Sequence, residues 1–188
     1  MNPAPAVPFS RPARQARPGG RPRPPVPAFS AHAVDVYPYR RPSGAAGGAE
    51  WLVLRRAAGR PDAGAWRMVG GKVEPDEPAW RTALRELAEE TGWRPGGGLR
   101  EAWALPSVNA FYEWQADRVV LAPAFAARVA GEPALDGEHD AWAWLPAEAA
   151  AERLAWPEQA RLLRLAARLE RAPRPAAWDL PLERGRGG

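Results

Sequence analysis

The 188-residue chain has no cysteine, two histidines (His32 and His139) and a single lysine, Lys72. Without thiols there can be no disulfide and no thiolate metal centre, and two histidines are too few for a zinc site. No apolar run approaches the roughly 18 residues of a membrane helix, and no apolar signal-peptide core is present at the N-terminus. The expectation is a cytoplasmic protein without a membrane partner. Acidic residues are missing from positions 1–28, where proline and arginine dominate. Such a segment buries too little to offset its ordering entropy, so residues 1–28 are expected to be a disordered basic tail. Its arginines Arg11, Arg14, Arg17, Arg21 and Arg23 exceed the formal excess of +4. The remainder is near neutral, which argues against a nucleic-acid partner.

What is present suffices for one domain, expected over residues 29–171, with a loosely held Pro- and Arg-rich tail over 172–188. Strand-like patterns run over Ala31–Tyr39, Trp51–Leu54 and Trp66–Val69. Further ones follow at Leu99–Leu105, Val108–Trp114, Val119–Val129 and Ala141–Leu145. Pro38 suggests an edge or a strand end, and Pro123 an edge strand or a bulge. Helical spacing marks Pro146–Ala155 and Pro157–Arg171, the latter with proline in its first turn. Strands on both sides of one central helix, with helices at the end, predict an α/β fold: a mixed sheet covered by helices on both faces.

The central helix lies inside Gly70–Trp93. Asp76 is the expected N-cap, Pro78 suits the first turn, and Gly92 is the expected left-handed stop. Trp80, Ala83, Leu84, Leu87, Ala88 and Thr91 form the face to be buried. Opposite them stand Arg85, Glu86, Glu89 and Glu90. Like charges three and four residues apart cost about 0.2–0.5 kcal/mol per pair, and the helix dipole disfavours acids near its C-terminus. One arginine cannot neutralise three glutamates. A hard divalent cation, Mg²⁺ or Mn²⁺, would supply the missing charge through oxygen ligands.

Gly71, Glu77, Arg85, Glu86, Leu87, Glu89, Glu90, Gly92 and Trp93 stand at the spacing of the Nudix box, and over roughly residues 30–171 the chain resembles the Nudix hydrolases. That resemblance implies an α/β/α sandwich with a mixed sheet and the box helix against it. It also implies that Glu86, Glu89 and Glu90 bind metal, with a carbonyl of the Gly70–Gly71 turn, assigned to Gly71, as a further ligand. Arg85 would orient the glutamates and Glu77 would brace the start of the helix. Glu138, in the Gly-Glu-His-Asp loop, would add a metal-binding or base carboxylate. Lys72 is a candidate phosphate contact. Trp66, Phe111 and Tyr112 are candidates for stacking on a base.

The run Ser107–Tyr112, together with Glu138, His139, Trp144 and Trp156–Gln159, is similar to a bacterial subgroup of dATP or dihydroneopterin triphosphate pyrophosphohydrolases. The expected activity is therefore metal-dependent hydrolysis of a pyrophosphate linkage in a nucleoside triphosphate or a related nucleoside diphosphate derivative, giving a monophosphate and pyrophosphate. Diadenosine polyphosphates, ADP-ribose and oxidised nucleotides remain alternative substrates, and a homodimer remains open. A noncatalytic Nudix-fold module binding nucleotide or RNA is the reading from another class. The intact acidic set weighs against it.

Overall fold

The structure, a computed structural model, describes residues 31–42 and 48–182. The basic tail, the interior of the Pro42–Gly48 turn and the last six positions fall outside the described residues. The strands are β1 (Asp35–Arg40), β2 (Glu50–Arg56), β3 (Trp66–Arg67), β4 (Arg94–Pro95), β5 (Gly98–Glu113), β6 (Arg118–Val129) and β7 (His139–Pro146). The helices are α1 (Ala79–Thr91), α2 (Ala147–Arg153) and α3 (Pro157–Glu170). All seven strands join one mixed sheet in the order β3-β2-β1-β6-β5-β4, with β7 also paired to β2. β1 and β6 run parallel, whereas β2 is antiparallel to β1, β3 and β7.

Alternation along β1 sets the two faces. Val34 and Val36 point to one side, with Leu52, Leu54, Phe125 and, from α1, Ala83 and Leu87. Tyr37 and Tyr39 point to the other, under Ala150 of α2 and Leu162, Leu163 and Ala166 of α3. Burying each such leucine contributes about 1.5–3 kcal/mol, enough to fix which face each helix covers. The arrangement is the expected mixed sheet between helical layers. No helix among the described residues is long and apolar enough to cross a membrane.

Several local expectations are corrected. β1 and β6 are interior strands, so the edge alternative fails at both prolines, whereas the bulge alternative fits the irregular register at Pro123. Val36 donates to the carbonyl of Val69, so the nitrogen of Pro38 faces the same side, in the gap before the β2 ladder begins at Tyr39. Pro123 stands opposite Val108 at a shift in the β5–β6 register, one residue before the parallel ladder to β1. The two strands expected on either side of Pro106 are a single strand, β5, carrying that irregularity.

α1 begins at Ala79 with Pro78 as its cap, not at Asp76, which sits in a tight turn at φ +63°. The residue before a proline is biased out of the helical region, so Glu77 cannot open the helix. Gly92 ends α1 at φ +78° and donates to the carbonyl of Ala88, as expected. Residues 172–182, expected to be loosely held, lie against the sheet. Leu180 donates to the carbonyl of Ala102, and Leu180 and Leu182 pack on the α1-side core.

Candidate active site

The loop between β3 and α1 is shaped by close approach. A Cβ on Gly70 would come within 2.1 Å of the Val34 carbonyl oxygen, and one on Gly71 within 2.2 Å of the Glu86 carboxylate. Two glycines thus let the loop lie on the strand before it and let a glutamate lie on the loop. Arg67 clamps the turn, donating to the carbonyls of Met68 (3.2 Å) and Gly70 (3.1 Å).

Arg85 stands at the hub of the acidic helix face. Its guanidinium donates to Glu86 (2.7 Å), Glu89 (3.0 Å), Glu77 (3.1 Å) and the carbonyl of Lys72 (3.2 Å). Glu77 also accepts from the Thr82 hydroxyl at 2.8 Å, and the Arg85 bond holds its carboxyl below the usual range. Burial pushes Glu86 up, against the pull of Arg85.

Glu90 differs from its neighbours. It is 4% exposed and accepts one long bond, 3.4 Å, from the N–H of Gly70. Among the described residues no arginine or lysine forms a salt bridge with it. Burial pushes its carboxyl up to about 8, with Arg67 pulling down and Glu86 and Asp136 pushing up. Of the three glutamates expected to bind metal, α1 thus turns Glu90 inward.

Glu138 arrives from the loop before β7 and is bonded by Arg56 at 2.5 Å, with Arg60 at 3.8 Å. The Arg56 bond holds it below the ordinary carboxylate range. Beside it, Asp136 accepts from the Glu138 N–H and contacts Nδ1 of the buried His139.

Most of these groups edge one cavity of about 810 Å³. Gly70, Gly71, Lys72, Glu86, Glu89, Glu90 and Glu138 line it, as does Phe111. Glu77 and Arg85 stand behind that lining. Trp66 and Tyr112 do not belong to it. Trp66 packs on the α2–α3 core with Arg153 4.1 Å above its ring, and Tyr112 is exposed with its hydroxyl on Asp117. Adjacent strand residues point to opposite faces, so Phe111 and Tyr112 cannot both face one cavity.

The sequence reading missed Arg67, Asp136 and Asp35; it marked Asn109 and Gln159 only within runs similar to a subgroup, not as meeting Asp35 at the far end of the cavity. There Asp35 accepts from Asn109 (2.9 Å) and Gln159 (2.7 Å), and burial raises its carboxyl pKa despite those bonds. A lone acid between Val34 and Val36 was the available signal.

A divalent cation suits these donors in kind: the ligand atoms are oxygens, and Glu90 is a buried carboxyl group with no salt-bridge partner among the described residues, costly to ionise unless compensated. Among the described residues, no three Asp, Glu or His side chains are gathered closely enough to enclose an ion. Glu86 and Glu89 are turned onto Arg85.

The NUDIX domain family matches residues 31–166. The CTP pyrophosphohydrolase of Escherichia coli (strain K12) is 49% identical over 41 residues, 22% of this chain and 30% of that protein. The chain thus spans less than a third of that relative's length. Among solved structures, a C. elegans Ap4A hydrolase in a binary complex aligns at TM-score 0.60 and 24% identity, over 75% of this chain and 98% of that one. The E. coli dihydroneopterin triphosphate pyrophosphohydrolase aligns at TM-score 0.60 and 21% identity, over 73% and 94%. At such identities the likeness is one of fold.

Proposed function

Since the chain belongs to the Nudix hydrolase family, we propose that it hydrolyses nucleoside triphosphates between the α and β phosphates, giving a monophosphate and pyrophosphate. The observation that carries this reading is the buried, uncompensated Glu90 beside Gly70 and Gly71, at the acidic end of a cavity large enough for a nucleotide. The 49% identity to a CTP pyrophosphohydrolase over 41 aligned residues supports the same substrate class.

In this reading Glu86, Glu89 and Glu90, with the carbonyl of Gly71, hold a divalent cation, Mg²⁺ or Mn²⁺. When bound, that ion neutralises phosphate oxygens and acidifies the attacking water. The protein's own groups do the rest. Arg85 holds Glu86 and Glu89 in place while Glu77 braces Arg85. Lys72, Arg67 and Arg56 line the cavity as the cations facing the phosphates. Glu138, kept ionised by Arg56, accepts the proton of the water. The water oxygen bonds to phosphorus as the bridging P–O bond breaks, and pyrophosphate leaves.

A panel of nucleotides assayed with Mg²⁺ for pyrophosphate and phosphate release tests the reading. Pyrophosphate from at least one triphosphate, abolished by chelator, is the expected result. Release of phosphate alone, or full turnover in a verified metal-free preparation, would overturn it.

A further inference from the structure

The far end of the cavity is built differently from its acidic end. Asp35 on β1 is paired with Ala124, and Asn109 on β5 with Ala122, so all four side chains share one face of the sheet. Asp35 and Asn109 are 5% and 4% exposed. The small side chains of Ala33 and Ala122 leave room above them, and Phe111, two residues on from Asn109, lines the same cavity. Trp156, which precedes α3, lines it too. The result is a space with aromatic side chains in its lining and a polar floor.

The orientation of that floor is dictated by its hydrogen bonds. Oε1 of Gln159 accepts from the backbone N–H of Met68, so its amide nitrogen is the atom that meets Asp35. Asn109 likewise turns its amide nitrogen towards Asp35, at 2.9 Å, the orientation an acceptor carboxylate oxygen favours. That leaves Oδ1 of Asn109 as a buried acceptor with no partner among the described residues. A buried polar atom left unsatisfied costs about 1–3 kcal/mol, and a ligand donor in the cavity would satisfy it.

Resting on the triphosphate reading above, we infer that this floor is a specificity subsite for nucleobases carrying an exocyclic amine, with Asn109 Oδ1 accepting from that amine. Asp35 is a positioning residue that fixes which Asn109 atom faces the base. A uracil or thymine ring offers one N–H set between two carbonyl oxygens, and those oxygens would be pressed against the acceptors of Asn109 and Asp35. Mismatched acceptors in a buried site discriminate more sharply than shape alone.

The test compares bases that differ at the amine. With the full chain and Mg²⁺, kcat/KM is measured for CTP against UTP, and for ATP against the purine ribonucleoside triphosphate with hydrogen in place of the amine. The amine-bearing member should be preferred at least about tenfold in each pair. Asn109→Ala should bring both ratios within about threefold of unity, chiefly by slowing the amine-bearing member. Asp35→Asn allows the Asn109 amide to flip and present its nitrogen, and should shift the CTP to UTP ratio towards UTP. A merely structural Asp35 would lower both rates together.

Equal rates within each pair for the unmodified protein would overturn the inference and leave the hydrolase reading standing. So would an unchanged preference in folded Asn109→Ala protein. Cleavage of non-nucleotide diphosphates, with no nucleotide cleaved, would overturn both.

Discussion

At Gly70 and Gly71, neighbouring residues of one type do unlike work. The Cβ of Gly70→Ala would collide with backbone, the Val34 carbonyl, whereas that of Gly71→Ala would collide with the movable end of Glu86. Gly70→Ala is therefore expected to lose about 1–3 kcal/mol of stability, read from denaturant or thermal melts. Gly71→Ala should melt within a few degrees of the parent. Its kcat/KM should nonetheless fall about 10²-fold, because the displaced carboxylate belongs to the proposed metal site. Glu90→Gln separates charge from shape at the same place. An exposed like-charge pair would return only about 0.2–0.5 kcal/mol when relieved. Glu90 is buried without a countercharge, so the neutral variant should gain on the order of 1 kcal/mol in chelator at neutral pH. Turnover in saturating Mg²⁺ should fall by orders of magnitude. A variant that melts lower and turns over normally would make Glu90 a structural residue.

At the scale of elements, the division between legible and illegible parts is physical. Periodicity along β1 placed Val34 and Val36 together, and the spacing of Leu87 and Gly92 located the body and end of α1, because those features depend on neighbours in the chain. The start of α1 was misplaced because a proline acts on the residue before it. That Glu90 alone of the three glutamates is buried was not legible, because helical spacing gives an angle, not what stands opposite. Arg67, Asp136 and the Asp35–Asn109–Gln159 floor acquire meaning only through contacts between distant segments. Glu101 shows the same dependence: it joins the Tyr39 hydroxyl of β1, Arg128 of β6 and Arg174 beyond α3. Burial pushes its carboxyl up, but the Tyr39 bond and the arginine charges outweigh it, and the net direction is below the ordinary value. A depressed acid stabilises the fold above its unfolded pKa and loses that contribution as pH falls through the folded one. Glu101→Gln should thus melt lower than the parent at pH 7, by about 1–2 kcal/mol. The gap should narrow as pH falls below the ordinary glutamate value and close only once it has passed the lower folded one, where Glu101 is as neutral as glutamine.

For the whole molecule, the two ends of the chain are expected to behave differently. Among the described residues the cavity lining begins at Ala33, and residues 1–28 carry no acid and little apolar surface. Deleting them should leave turnover on a small nucleotide within about threefold, since so Pro- and Arg-rich a segment offers little for a core or a site. Removing residues 173–188 should lower Tm by several degrees, because it strips Leu180 and Leu182 from the core and frees the Ala102 carbonyl. Activity measured well below Tm should survive that second deletion.

The Asp35 floor also has a history in time. Its two amide partners lie 74 and 124 residues further along the chain. While the polypeptide is being synthesised, the box helix can form early, but this part of the cavity must wait for β5 and then α3. Contacts of such long sequence separation are slow to close. A growing chain would therefore carry its acidic helix before the surface inferred to recognise a base exists. In the finished protein, fraying of the first turn of α3 would open that surface again. Amide exchange at Met68, whose N–H is held by Gln159, would report each opening.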